Sequence, residues 1–400
     1  MKSSEVRSIC FLTNTYPDFD ASYRGVFIKR MASLLQHRGY SIAVVTPKIY
    51  RGSPCLEKKD RPPVYRFPFF SGNRLLIERE KIPYIRMMVY YISGVLLTLF
   101  VMLRRRCNLI HVHWAVPTGM IGAFCHLLLR RPLVVTIHGS DFRLATEGSG
   151  LIKSLFLFVC RRANHLTCVS EVLKKGLLEW GIPEGKISVF PMGVEVPFLE
   201  AGKHARGGGD RQPRTVLSNR NLLPLYNVSL LIRAIPAVLA EEPDTLFVVA
   251  GEGAEREKLE REVKDLNVEG AVSFIGRVSH EAMPALLRES DIYVSTSLSD
   301  GTSVSLLEAM AAGSFPVVTD IPANREWIKD GENGFLVPVN EAGLLAKRIV
   351  SAIRDEDLLQ RSRADNLRTV EERALWPVTI RKTEGIYEGL LNRETHFVAR

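Results

Sequence analysis

The stretch LSDGTSVSLLEAMAAGSFPVV, Leu298–Val318, holds a turn, a helix and a strand in immediate succession. Asp300-Gly301-Thr302-Ser303 is small and polar, with little side-chain bulk over its backbone N–H groups. Val304–Ala312 is made of helix formers, Gly313 is suited to end a helix, and Phe315–Val318 reads as a buried strand. A helix that starts this way favours negative charge at its mouth. Asp300 and Glu308 stand eight residues apart on either side of that start.

Read outward, the stretch belongs to a series. In the second half of the chain Val216–Ser218, Leu246–Ala250, Val272–Ile275, Ile292–Ser295 and Phe315–Val318 alternate with helical segments. The first half repeats the rhythm, with strands at Ser8–Leu12, Ile42–Thr46, Leu109–His113 and Leu133–Ile137 and helices near Val26–Arg38, Thr118–Leu129 and Leu151–Ala163. Strand, crossover and strand at these lengths predict parallel sheets covered on both faces. Between the two series Leu199–Arg214, LEAGKHARGGGDRQPR, is glycine-rich and lacks apolar periodicity, as a linker would. The expected division is a first domain over 1–198, a linker over 199–213 and a second domain over 214–375. A long final helix begins at Trp376.

The 400 residues suffice for two cores, and 46% apolar with 24% charged residues suits a globular protein. Six cysteines without a C-x-x-C pair read as buried thiols of a reducing compartment. Ile9-Cys10-Phe11-Leu12 is too short for a signal core, so a cytoplasmic protein is expected. The net charge of +9 is uneven: residues 1–200 carry 28 Lys and Arg against 14 Asp and Glu, whereas the remainder is mildly acidic. A basic first half suggests contact with something anionic. No zinc-finger, RNA-recognition or helix-turn-helix signature points to nucleic acid. Met87–Leu103 is an uncharged run of 17 residues, read as a helix buried under a sheet in preference to a membrane span. The flanking Arg104-Arg105-Arg106 makes a peripheral, salt-sensitive association with an anionic membrane surface the corresponding expectation.

Open α/β sheets bind ligands beyond strand ends. There lie His111, His113 and Trp114 of HVHWAVPTG and His138 and Asp141 of TIHGSD. Gly25, Arg220, the Gly251 and Gly253 of AGEGAERE, and Arg277 with Val278 occupy similar positions. His111 reads as a satisfied core histidine. The absence of G-x-G-x-x-G and of a P-loop motif after the first strand counts against a dehydrogenase or P-loop ATPase. The absence of H-E-x-x-H spacing counts against a zinc hydrolase.

The Asp300–Glu308 segment, continuing through AMAAGSFPVV, resembles the glutamate–seven residues–glutamate motif of the family 4 retaining glycosyltransferases. The resemblance extends through YRGVFIKRMA, VHWAVPTG, VVTIHGSDF, NRNLLP, VVAGEGAERE, FIGRVSHEAMPALL and ENGFLVP, in family order. It implies an α/β architecture of GT-B type, two Rossmann-like doubly wound domains facing a deep interdomain cleft. In that family the last helix returns to the first domain, here Trp376–Leu391.

By the same resemblance Gly301, Thr302 and Ser303 face the diphosphate and sugar of a nucleotide sugar, expected to be a UDP-sugar. Glu308 would accept from the ribose hydroxyls, and Asp300, in a glutamate's place, would hold sugar hydroxyls. Arg220 matches the arginine that neutralises the leaving diphosphate. The lysine that usually follows it is missing, with Tyr226 or Asn227 where it would lie. Arg24 and Arg277 are candidate substitutes. His138 would orient the sugar; Gly25, Gly251, Gly253, Arg277 and Val278 would line the donor; His113, Trp114 and Asp141 would lie on the acceptor side. The family implies no metal and no cofactor beyond the nucleotide-sugar co-substrate, and the acceptor would be a cell-surface glycan or its lipid-linked precursor. A UDP-sugar epimerase and a non-catalytic binding protein are the rival readings.

Overall fold

Ser8–Leu12, SICFL, is buried at all five positions, as a strand covered on both faces must be. It sits inside the first of two units into which the chain divides: Met1–Phe190 with Ile380–Arg400, and Pro191–Thr379. The computed structural model describes residues 7–19, 24–58, 62–69, 84–204 and 213–398.

The first unit runs β1 (Ser8–Leu12), α1 (Val26–His37), β2 (Ser41–Lys48), β3 (Leu56–Glu57), β4 (Val64–Pro68), α2 (Tyr84–Arg104), β5 (Leu109–His113), α3 (Thr118–Leu129), β6 (Leu133–Ile137), α4 (Ser140–Glu147), α5 (Gly150–Arg162), β7 (His165–Cys168), α6 (Glu171–Glu179) and β8 (Ile187–Val189). Among the described residues its strands lie in the order β3-β4-β2-β1-β5-β6-β7-β8. All pairs are parallel except β3–β4. The order reverses between β1 and β5, the kind of switch point at which such sheets take ligands.

The second unit runs α7 (Val196–Lys203), β9 (Thr215–Ser218), α8 (Val228–Glu241), β10 (Leu246–Ala250), α9 (Arg256–Asp265), β11 (Val272–Gly276), α10 (Met283–Arg288), β12 (Ile292–Ser295), α11 (Val304–Ala312), β13 (Phe315–Thr319), α12 (Pro322–Arg325), β14 (Phe335–Val337), α13 (Ala342–Arg354) and α14 (Glu356–Arg373). Its parallel sheet has the order β11-β10-β9-β12-β13-β14, with the reversal between β9 and β12. One core packs α8, α9 and α13 on the sheet through Leu231, Ile235, Leu259 and Ile349; another packs α7 and α11 through Phe198, Leu306 and Met310.

The linker reading needs correction at its start. Leu199–Lys203 is the end of α7, and Leu199 is buried against the second unit's core. The glycine-rich tract gave the wrong boundary because its first residues hide an amphipathic turn; 205–212 lie outside the described residues. The final helix, α15 (Trp376–Val398), begins in the second unit and from Ile380 belongs to the first. There Tyr387 is fully buried, and Arg38 and Arg7 pair with Glu384 and Glu388 at 3.1 and 2.6 Å.

Met87–Leu103 is only half of what its composition suggested. It forms most of α2, whose Tyr90, Thr98, Val101 and Met102 are buried, while Met88, Ile92, Leu96 and Phe100 are exposed. One stripe of the helix suffices to cover the sheet, and among the described residues the opposite stripe stays exposed.

Candidate functional site

Because β9 and β12 are neighbours at the switch point, the loops that follow them meet. Arg220 follows β9 and Asp300 follows β12. The buried Arg220 donates from Nη2 to Asp300 Oδ2 at 2.7 Å and from Nη1 to Ser303 Oγ at 2.9 Å. Burial opposes the arginine's charge, but facing Asp300 more than offsets this and raises its pKa. The Arg220 Cζ lies over the Tyr226 ring, 4.3 Å from its centroid. Thr296 Oγ1 donates to the Tyr226 and Asn227 carbonyls at 3.1 and 2.8 Å, fixing the turn that carries the ring. Tyr226, one of the two residues that stand where the resemblance expects a lysine, thus sets an aromatic face against the arginine, a contact that favours the cation.

The helix start is capped from within the small polar turn. Ser303 Oγ accepts from the Leu306 N–H at 3.2 Å and is the N-cap of α11. With both lone pairs taken by Leu306 and Arg220, its hydroxyl proton is left to donate. The Gly301 N–H donates to Asp300 Oδ1 at 2.9 Å, so the turn offers fewer free N–H groups than its sequence suggested. Glu308 lies buried in α11, its Oε1 3.9 Å from His280 Nδ1. Burial and the nearby charge of Glu195 push its pKa up to about 8, with Arg220 opposing.

Gly251 and Gly253 have a packing role. A Cβ on either would collide with the carbonyl oxygen of Arg220 or Leu222. Leu222 N–H donates to Glu252 O and Glu255 N–H to Leu222 O, both at 3.0 Å, so the loop after β10 clamps the loop that carries Arg220. At the end of β11 Arg277 is exposed and Val278 half-buried, behind Gly276 at φ 70°.

In the first unit Gly25 also serves the backbone. It sits at φ 68° before α1, where a Cβ would strike the Thr15 carbonyl. His113 ends β5 and His138 follows its neighbour β6, so their rings meet, His113 Nδ1 to His138 Nε2 at 3.0 Å. His111, as expected, is satisfied, by Tyr387 Oη at 2.5 Å and Thr136 Oγ1 at 2.7 Å. Burial depresses all three pKa values, to about 3 for His111 and His138, so these imidazoles are neutral at pH 7.

Two of the expected acceptor-side residues are interior instead. His113 is wholly buried behind His138. Asp141 is buried too, accepting from the Ala115 N–H at 2.8 Å and from the His138 and Gly139 N–H groups at 3.2 Å each. It ties the turn after β5 to the turn after β6, and burial lifts its pKa to about 6 against those hydrogen bonds. Strand-end position alone could not reveal this, since it does not say which way a side chain turns. Trp114 and His138 are half-buried, their rings 4.4 Å apart, and Trp114 Nε1 donates to Ser140 Oγ at 3.0 Å.

Sequence reasoning missed His280 and Glu195, which act on Glu308 only through the fold, and Tyr226 as a stacking partner. It also missed Phe27, whose ring lies 5.4 Å from that of His138.

Residues 203–368 match the profile of the glycosyl transferases group 1, and residues 25–197 that of glycosyltransferase family 4. The phosphatidyl-myo-inositol mannosyltransferase of Mycobacterium leprae is 32% identical over 263 residues, 64% of this chain and 67% of that protein. The UDP-Gal:alpha-D-GlcNAc-diphosphoundecaprenol alpha-1,3-galactosyltransferase of Escherichia coli is 27% identical over 280 residues, 66% of this chain and 71% of that protein. Among solved structures, sucrose-phosphate synthase from Thermosynechococcus elongatus has a TM-score of 0.77 at 17% identity, covering 97% of this chain and 100% of that one. Anabaena HepE in complex with UDP has a TM-score of 0.72 at 19% identity, covering 94% and 98%. At such identity the structural likeness shows the fold, which is of GT-B type.

Proposed function

The chain belongs to the family 4 glycosyltransferases, and on that premise we propose that it is a retaining, metal-independent enzyme transferring sugar from a UDP-sugar to a lipid-linked glycan acceptor. Glycosyl transfer is the activity that its relatives' names state, and the Escherichia coli one names a nucleotide-sugar donor. The finer terms are our reading. They rest chiefly on the buried Arg220, bonded to Asp300 and Ser303 beside the N-terminus of α11. A leaving diphosphate gains negative charge as the glycosidic bond breaks, and a preorganised cation with a helix N-terminus stabilises that gain without reorganising.

In this reading Glu308 accepts from the ribose hydroxyls, and Asp300 exchanges part of its hold on Arg220 for hydroxyls of the donor sugar. The bond from the sugar's anomeric carbon to the diphosphate oxygen breaks while the acceptor oxygen attacks the same face. The acceptor's proton passes to the departing phosphate oxygen, and UDP leaves. His138, neutral near pH 7, orients the sugar rather than trading protons. The uridine assignment draws on the Escherichia coli relative, named for UDP-Gal, and on the UDP complex of the Anabaena neighbour. The acceptor class draws on the diphosphoundecaprenol and phosphatidyl-myo-inositol in the two relatives' names. Such an enzyme works in the cytoplasm at the inner face of the membrane.

A thermal-shift screen against UDP-, GDP-, ADP- and dTDP-sugars tests the donor, because a ligand that binds the native state raises its melting temperature. A rise with UDP-sugars alone is expected. A rise with a different nucleotide replaces the uridine assignment, and none with any of the four overturns the reading.

A further inference from the structure

From Lys81 to Ser140, sixty consecutive residues carry seven Lys and Arg and not one Asp or Glu. Helices α2 and α3 both fall within this span. α2 is 21 residues long, and its exposed face between Arg86 and Arg104 is apolar throughout: Met88, Ile92, Leu96, Phe100 and Leu103 are 56–67% exposed. They recur every three or four residues and so form one stripe. α3, packed on α2 through Ile121 against Gly94, adds Phe124 and Leu128, each more than half exposed. Isolated exposed apolar side chains are ordinary, but a stripe running the length of a helix is not.

We propose that this α2–α3 face seats in the interfacial layer of a bilayer containing anionic lipids. The charges around the face select that occupant. Arg86 stands at one end of the stripe, Arg104, Arg105 and Arg106 at the other, and Arg130 and Arg131 follow α3; all are exposed, although Arg105 also donates to Tyr65 Oη at 2.8 Å. An apolar centre rimmed by guanidinium groups matches acyl chains beneath phosphate headgroups. A second copy of the chain would bring these arginines against each other, with no carboxylate on either helix to pair them.

By length and composition α2 could cross a membrane. Its other face is committed to the fold, however: Tyr90 is fully buried and its Oη donates to Asn14 Oδ1 at 2.7 Å, and Thr98, Val101 and Met102 are buried beside it. The helix therefore lies along the surface. This changes the expectation from the basic sequence alone, because the apolar stripe gives an attachment that salt weakens but does not abolish. The proposal does not depend on the acceptor being a lipid.

The test is flotation of the purified full chain with vesicles of phosphatidylcholine, alone or mixed equally with phosphatidylglycerol, at about 0.1 M and about 1 M salt, where the Debye length falls from about 10 to about 3 Å. Binding to the mixed vesicles should be strong at low salt and reduced, yet measurable, at high salt. The double variant Leu96→Glu/Phe100→Glu should lose the salt-resistant part. The triple variant Arg104→Gln/Arg105→Gln/Arg106→Gln should bind the mixed vesicles roughly a hundredfold more weakly at low salt, at about fivefold per basic residue. Both should stay folded with wild-type UDP affinity, the triple variant losing from its stability only the Arg105–Tyr65 bond, which separates this face from the nucleotide site. The proposal is overturned by absence of wild-type binding, by binding abolished at high salt, or by binding indifferent to the double variant. A wild-type dimer that the double variant dissolves, or resistance to alkaline extraction, would overturn it in favour of a second copy or a membrane span.

Discussion

Arg220 and Asp300 share a hydrogen-bonded ion pair of 2.7 Å, although eighty residues separate them in the chain. The pair exists because β9 and β12 adjoin, and it leaves the guanidinium preorganised; in the proposed reaction charge develops beside it as the donor breaks. Arg220→Ala should therefore lower kcat about a hundredfold or more, the usual cost of removing one such stabilising group. Binding of uridine, which carries no phosphate, should hardly change. Steady-state kinetics beside uridine titration would expose the opposite pattern, lost nucleoside binding with intact turnover.

Tyr226, one of the two residues that stand where the resemblance expects a lysine, holds its ring face against the Arg220 guanidinium. Tyr226→Phe keeps that face and should leave kcat/KM within about twofold, whereas Tyr226→Ala should lower it roughly tenfold, the value of a partly buried cation–π contact. If the phenylalanine variant falls as far as the alanine one, the hydroxyl is the working group and stacking is not.

Glu308 carries a sign that can be checked. Burial holds its carboxyl near pKa 8 in the folded protein, against about 4.3 in an unfolded chain. Between those values the native state holds a proton that the unfolded state has lost. Its contribution to stability is thus full below the lower value and declines as pH rises through the window. Glu308→Gln should flatten that slope in pH-dependent melting. UDP binding should run the other way, since ribose hydroxyls donate to the carboxylate form: affinity should climb with pH, by at most about tenfold per unit, until about pH 8. Affinity constant from pH 6 to 8 would contradict this role.

The neutral histidines act at the acid end. His111 and His138 fall to about pKa 3 when folded, from about 6.5 unfolded, and His113 is lowered as well. Their stabilising effect is complete above about pH 6.5 and is lost as pH falls from there. His138→Ala removes the ring that bonds His113 and should cost about 1–3 kcal/mol by orphaning a buried polar group. His138→Gln, which keeps a donor and an acceptor, should retain most of that stability while transfer still drops. Full activity in the glutamine variant would make His138 purely structural.

Much of this was legible in the sequence. Val304–Ala312 and Phe315–Val318 fold as helix and strand because local propensity and periodicity agree there. Val64–Pro68 was not recognised, since prolines flank it and its Arg66 looks like a surface residue. In the fold Arg66 is buried and paired with Asp18 at 3.3 Å and Glu57 at 2.8 Å. Which of several small polar residues caps α11 is decided by backbone angles, and Ser303 has them. His113 ends β5 and Asp141 lies just past β6, but whether such a side chain faces outward or inward depends on neighbouring strands. The Arg220–Asp300–Tyr226 cluster needs the order β9-β12, which no local pattern encodes.

Calorimetric titration of UDP into the wild-type protein, Arg220→Ala and Glu308→Gln tests the central claim most directly. The account predicts binding to the wild type, and affinities at least about tenfold weaker for both variants, as the loss of a hydrogen bond to a charged group implies. Equal affinity in all three, with melting temperatures showing each folded, would contradict the placement of the nucleotide at Arg220 and the start of α11.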